Sequence, residues 1–281
     1  MRAFPGLTSL LAALGLLWAA PAGACPGADA PCRVADGEYF IRLPETGSTV
    51  GRPALMVHLH GAGGQAADVV RGAGFLDVFL GRGYAVLAPQ GLAREGGRGP
   101  NWGVSDGRPH PRDDLAFIGE VIDDAVGRFD LDRTRVLLTG FSRGGSLVWD
   151  IACQAPAMAS AYAAIAGGFW RPHPTSCKGP VRLFHTHGFT DDTVPLEGRP
   201  LGGGAVEQGD IFEGLQLWRR TNGCNTRADW QDASGPYWRK AWTSCAAGML
   251  ELALHAGGHG VPAGWGPMVI DWFEAEPPAE D

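Results

Sequence analysis

Val136-Leu137-Leu138-Thr139-Gly140-Phe141-Ser142-Arg143-Gly144-Gly145 is the stretch whose reading decides the fold. An apolar run opening on Val136 feeds straight into Gly-x-Ser-x-Gly, and a helical pattern over residues 146–155 begins directly behind the serine. In that strand–turn–helix context the serine reads as a nucleophile rather than as part of a flexible loop. Glycines on both sides of Ser142 permit a tight turn that side chains would obstruct. The turn lifts the hydroxyl out of the sheet, and the N-terminus of the following helix favours negative charge on a reacting group. The chain holds 43 glycines, so the motif by itself also arises by chance; its flanks make it specific.

Working outward, residues 38–43 and 54–59 read as strands, the second ending in His60-Gly61-Ala62-Gly63-Gly64. Residues 75–82 read as a helix and 84–88 as a strand. Residues 92–112, rich in Gly, Arg and Pro, form a loop containing Asn101-Trp102. Leu115, Ile118, Val121, Ile122 and Val126 recur at helical spacing within 114–129. Further strands are expected at 162–165, 181–184 and 249–254, a long loop at 188–209, and helices at 211–222 and 268–274. Short apolar strands alternating with helices predict an α/β fold: one domain with a mostly parallel sheet and helices on both faces. In such sheets ligands sit beyond the C-terminal strand ends, so functional residues are sought there.

Met1-Arg2, an apolar stretch from Leu7 to Ala20 and the A-x-A site Ala22-Gly23-Ala24 predict a signal peptide over residues 1–24, with the mature catalytic domain spanning 25–281. Lipoprotein anchoring at Cys25 is the less favoured reading, because Ala22 stands where a Leu is usual. No other stretch is long and apolar enough to span a membrane, so the product is expected to be secreted or periplasmic. All six cysteines follow the cleavage site, an even number suited to an oxidising compartment. Six cysteines admit fifteen pairings; sequence neighbours suggest Cys25–Cys32, Cys153–Cys177 and Cys224–Cys245. A net charge of −7 with scattered arginines argues against a nucleic-acid partner.

Partners for Ser142 are sought at later strand ends. The strand at 181–184 runs into His185-Thr186-His187-Gly188-Phe189-Thr190-Asp191-Asp192, where both aspartates qualify by position to orient a general base. The last strand runs into His255-Ala256-Gly257-Gly258-His259-Gly260. His259 lies in a glycine-rich loop and is the candidate base; His255, nearer the strand, is expected to pack. The order serine, aspartate, histidine is that of α/β-hydrolases and of neither major serine-protease class. The backbone amides of Arg143 and of Ala62, or Gly61 in its place, are candidates for an oxyanion hole. His58-x-His60 and His185-x-His187 lack the following Asp-His of a dinuclear metal site, so neither metal nor cofactor is expected. Trp102, Trp170 and Trp265, with His60 and Gly61, are candidates to line a substrate cleft.

Several motifs in order carry a family resemblance over residues 38–273. They are Leu59-His60-Gly61, Asn101-Trp102, Asp113-Asp114-x-x-Phe117-Ile118, Asp132-x-x-Arg135-Val136, Gly140-Phe141-Ser142-Arg143-Gly144-Gly145, His187-Gly188-x-x-Asp191-x-x-Val194-Pro195, Asn222-Gly223-Cys224 and Gly257-Gly258-His259. The chain resembles the secreted esterases that include polyhydroxybutyrate depolymerases and feruloyl or acetylxylan esterases. The resemblance implies an α/β-hydrolase fold and a triad falling on Ser142, Asp191 and His259. It implies a serine carboxylic ester hydrolase forming an acyl-enzyme, with a hydroxyalkanoate oligomer or polyester, or a feruloyl or acetyl ester of plant polysaccharide, as substrate. Two departures stand out: Arg143, where Ala or Asn is frequent, and the stretch Gly260-Val261-Pro262-Ala263-Gly264-Trp265 after the histidine. A serine peptidase of the same fold and a non-catalytic carbohydrate-binding protein on that scaffold are the competing functions.

Overall fold

The computed structural model describes residues 29–45, 51–72, 77–93 and 99–275, together with residues 1, 25, 74 and 97. The expected signal segment, Met1 apart, and the first two residues of the helix expected at 75–82 lie outside the described residues.

Ten strands make one sheet: β1 (Cys32–Val34), β2 (Gly37–Arg42), β3 (Leu55–Leu59), β4 (Ala85–Pro89), β5 (Val136–Phe141), β6 (Ala161–Ile165), β7 (Arg182–Gly188), β8 (Trp230–Asp232), β9 (Tyr237–Trp242) and β10 (Met249–His255). Their spatial order is β1-β2-β4-β3-β5-β6-β7-β10-β9-β8. From β4 to β10 every pairing is parallel, and the pairings outside that block are antiparallel. The central strands are buried along almost their whole length, as parallel strands covered on both faces must be.

The two faces separate by the period of two along each strand. Leu55, Val57 and Leu59 join one core with residues of α3 (Asp114–Phe129), α4 (Arg143–Gln154) and α5 (Ile211–Thr221). Met56, Val86 and Leu137 join the opposite core, with Phe79 of α2 (Asp77–Gly81) and Trp265, Val269 and Ile270 of α6 (Trp265–Glu274). The short helix α1 (Ala66–Arg71) closes the sheet edge over Phe40 and Ala88. Helix α3 forms as its spacing predicts: Phe117, Ile118, Val121, Ile122 and Ala125 are buried, and the Asp113 carboxylate caps it by accepting from the Leu115 and Ala116 amides.

Two features aim the site. Buried Asp114 accepts from the Gly103 amide at 2.6 Å and from Arg112 Nε at 2.7 Å, which fastens the loop at 99–112 against α3. Asn222 accepts from the Val181 amide and donates to the Val181 and Met249 carbonyls, which ties the starts of β7 and β10 to the end of α5. Disulfides join Cys25 to Cys32, Cys153 to Cys177 and Cys224 to Cys245. Among the described residues no helix is long and apolar enough to cross a membrane.

The outer hairpin β8–β9 and helix α1 had no counterpart in the sequence reading. The loop expected at 188–209 also holds a small antiparallel hairpin, Arg199–Leu201 with Val206–Gln208.

Candidate active site

Strand β5 ends at Phe141, and Ser142 turns the chain into α4 with φ 56° and ψ −119°. A non-glycine residue at that φ is strained, and the surroundings hold it there. The Ser142 amide donates to the Ile165 carbonyl at 2.8 Å, and its own carbonyl accepts from the Ser146 amide at 3.0 Å. The flanking glycines are required by proximity. A methyl group on Gly144 would run into the Leu59 carbonyl, and one on Gly145 would meet the Ile165 carbonyl at 2.7 Å. Helix α4 therefore starts pressed against the ends of β3 and β6, with Ser142 at the crest.

Two loops meet over that crest. The Phe189 amide donates to the His255 carbonyl and the Thr190 amide to the Gly257 carbonyl, so the segments after β7 and β10 run together. His259 Nε2 then lies 2.9 Å from Ser142 Oγ, and His259 Nδ1 lies 2.7 Å from Asp191 Oδ2. An ionised carboxylate can only accept, so Nδ1 carries the proton and the Nε2 lone pair faces the serine hydroxyl. The side chain of Asp191 is fully buried, and its Oδ1 accepts from the Thr193 and Val194 amides at 2.9 and 2.8 Å. Asp192 is exposed and touches Thr193 Oγ1 instead.

Behind Asp191 stands a pair of buried histidines. His187 Nε2 donates to the Val194 carbonyl at 2.8 Å, so its Nδ1 accepts from His185 Nε2 at 3.1 Å. Burial pushes both imidazoles below the usual histidine range, which keeps them neutral beside the carboxylate. On the other side of Ser142, Gly61 lies beside the elbow, where an added Cβ would meet the Phe141 ring at 3.2 Å and Ser142 Cβ at an ordinary contact distance of 3.5 Å. The Gly63 amide donates to the Pro100 carbonyl at 2.7 Å and the Gly64 amide to the Gly61 carbonyl at 3.0 Å, which fixes the turn carrying Ala62.

No family model matches the chain. It is 28% identical to the putative esterase NocK of Nocardia uniformis over 80% of this chain and 68% of the relative. It is 27% identical to feruloyl esterase C of Emericella nidulans over 82% of this chain and 78% of that protein. Among solved structures, an acetyl xylan esterase from Aspergillus awamori superposes with a TM-score of 0.62 at 16% identity, covering 85% of this chain and 95% of the other. The Bacillus cereus carboxylesterase gives 0.56 at 16% identity, covering 85% and 94%. The chain has the α/β-hydrolase fold, and its similarity to named esterases supports carboxylic ester hydrolase activity.

The esterase has a cavity of about 250 Å³ beside Ser142, reached by Ala62, Arg143, Trp170 and Val194. Three expected cleft residues lie elsewhere. Trp102 is fully buried, with its ring against His60 and its Nε1 donating to the His60 carbonyl at 2.7 Å. His60 is itself buried: Nδ1 donates to the Gly61 carbonyl at 2.7 Å and Nε2 accepts from the Gly91 amide at 3.1 Å. Both brace the Gly61–Ala62 turn from behind and are not among the residues that line the cavity. Trp265 is fully buried in the core under α6 and donates to Thr186 Oγ1 at 3.0 Å. A large apolar ring opening a helix over the sheet is drawn into the core, not the cleft. Of the three tryptophans only Trp170 lines the cavity.

Arg143 does not present a mobile cation to Ser142. Its guanidinium is pinned by Asp106 Oδ2 at 2.7 Å and by the Trp102 carbonyl at 3.2 Å, and it lies 4.7 Å over the Trp170 ring. Asp106 is buried, which opposes its ionisation, but the bonds from Arg108 and Arg143 prevail and bring it down to about 2. Asp106, Arg108 and Arg199 were missed by the sequence reading. Asp106 and Arg108 lie in a Gly/Pro-rich loop with no period, and Arg199 in a segment read as featureless.

Proposed function

We propose that this chain is a secreted carboxylic ester hydrolase that works through an acyl-enzyme on Ser142. The observation that carries the reading is the hydrogen-bonded series Ser142–His259–Asp191 at a strained elbow. His259 Nε2 takes the hydroxyl proton as Ser142 Oγ bonds to the ester carbonyl carbon. The backbone amides of Arg143 and Ala62 stabilise the resulting oxyanion. Collapse breaks the acyl–oxygen bond, and imidazolium His259 returns its proton to the departing alkoxide. Water, deprotonated by the same nitrogen, attacks the acyl carbon and releases the acid and the free serine. Asp191 holds the imidazole in the required tautomer and stabilises its charged form.

The expected signal segment, with three disulfides suited to an oxidising compartment, supports secretion. Relatives named feruloyl and acetyl xylan esterases support an ester of plant polysaccharide as substrate. A hydroxyalkanoate oligomer is the other substrate class, and a cavity of this size takes one short acyl or aryl group at a time. The test is hydrolysis of short p-nitrophenyl esters together with labelling by a fluorophosphonate. Both are expected in the wild type and neither in Ser142→Ala; a Ser142→Ala protein that still turns over esters overturns the mechanism.

A further inference from the structure

The cavity beside Ser142 is lined by three arginines, Arg108, Arg143 and Arg199, and by no carboxylate among the described residues, in a chain whose net charge is −7. Local charge thus runs against the average of the molecule, and the three cations are held differently. Arg108 and Arg143 share Asp106, whose side chain is fully buried behind them. Both guanidinium groups lie over the Trp170 ring, at 5.7 and 4.7 Å. The Arg143 side chain is 6% exposed, whereas that of Arg108 is 45% exposed and within reach of a ligand.

Arg199 has no ion pair among the described residues. Its Nε donates at 3.4 Å to Gln208 Oε1, a neutral acceptor directly opposite it across the small hairpin. Gln208 also pairs with Trp170, so hairpin and tryptophan form one continuous wall. Asp150, close enough to Arg143 to feel its charge, is buried with the Ser105 amide 2.7 Å from its Oδ2. It lines the neighbouring clefts and not this one. Among the described residues Arg108 and Arg143 therefore share a carboxylate partner, whereas the partner of Arg199 is neutral. A guanidinium with a free fork, beside an aromatic wall that excludes water, binds a carboxylate in a two-point geometry.

We propose that this cavity recognises a free carboxylate on the substrate, so that the preferred ester is a monoanion. Arg199 is the specificity-determining contact and Arg108 the second. The inference rests on the esterase reading above and narrows its substrate: a half-ester of a dicarboxylic acid, or an acylated hydroxy acid, has the required chemistry. The small cavity places the carboxylate only a few bonds from the scissile carbonyl.

Two matched pairs of esters test it. On the acyl side, p-nitrophenyl hemiglutarate is compared with p-nitrophenyl pentanoate; on the alcohol side, β-acetoxybutyrate with its amide. The readout is the ratio of kcat/KM within each pair, which is independent of the folded fraction of a preparation. A charge-assisted hydrogen bond predicts that the anion is preferred by about tenfold in one pair. That preference is expected to fall most of the way to unity in Arg199→Gln, less in Arg199→Lys, and to shrink between about 0.05 and about 0.5 M salt. Equal or better turnover of the neutral ester in both pairs overturns the inference and leaves the esterase standing. An anion preference that survives both Arg199→Gln and Arg108→Gln overturns the assignment to these residues. Failure to turn over any of the four esters, with no fluorophosphonate label, removes the serine mechanism and this inference with it.

Discussion

Replacing Asp191 by asparagine changes one atom, and the structure dictates where the new amide group must go. Oδ1 accepts from the Thr193 and Val194 amides at 2.9 and 2.8 Å, so only an oxygen can occupy that position. The NH2 group is therefore forced to the Oδ2 position, 2.7 Å from His259 Nδ1. Two donors cannot face each other, so the imidazole changes tautomer and puts its proton on Nε2, pointing at Ser142 Oγ. The hydroxyl then has no base. A wrong tautomer in an otherwise intact triad costs about 10⁴ in kcat, or roughly 5.4 kcal/mol of transition-state stabilisation. Folding should be little affected, because both backbone hydrogen bonds survive and no volume changes; a stability loss of about 1 kcal/mol is the expectation. The assay is kcat/KM on p-nitrophenyl butyrate with thermal unfolding of the same preparations, and Asp192→Asn as the partner variant. Asp192 is exposed and makes one weak contact with Thr193, so its replacement should change activity by less than about twofold. A loss below tenfold in folded Asp191→Asn, or an equal loss in Asp192→Asn, refutes the reasoning.

Three further outcomes are expected. Ser142→Gly and Ser142→Ala should both be inactive, but the glycine variant should be the more stable by about 1 kcal/mol, because glycine adopts φ 56° without strain; equal melting temperatures would show that the elbow stores none. Gly144→Ala drives a methyl into the Leu59 carbonyl and should destabilise by about 3 kcal/mol or more, so a variant that unfolds like wild type in urea contradicts the close approach of α4 to β3. Burial lowers the pKa of His58 to about 3 and lowers those of His185 and His187. For a histidine depressed in the folded state, the stability is present above about pH 6.5 and drains away as pH falls, by about 1.4 kcal/mol per unit for each group. Asp150, raised by burial to about 6, and Glu251, also raised by burial, titrate in the opposite sense, but burial lowers His60, His173 and His255 as well, so six depressed imidazoles stand against two raised carboxyls. The melting temperature should therefore fall steeply between about pH 6 and pH 4, and a flat profile would mean these imidazoles are not buried neutral.

The parallel core and the elbow were legible because they depend on local pattern: apolar strands, helical spacing over α3, and glycines whose absence of side chain is the message. What could not be read depends on partners distant in sequence. Strand β7 was expected to end at residue 184, since His185-Thr186-His187 looks polar; it continues to Gly188 because those groups bond to one another, to Val194 and to Trp265 inside the core. Hydropathy scores such residues as loop, since it cannot know that Thr186, His187 and the Nε2 of His185 find hydrogen-bond partners inside the core. Trp102, Trp170 and Trp265 carry the same side chain near strand ends, yet only Trp170 faces the cavity, because the His60 carbonyl and the Thr186 hydroxyl draw the other two indoles inward. Arg143 shows the same limit from the charged side. As a sequence feature it was a cation beside the nucleophile, and its neutralisation depends on Asp106, a loop residue 37 positions away. Once Arg143 is matched in this way, the cations left to act on a substrate are the exposed Arg108 and above all Arg199, carried by a hairpin whose short strands gave no signal. The proposed carboxylate recognition therefore rests less on the residue next to the serine than on Arg199, which among the described residues has no ion pair of its own.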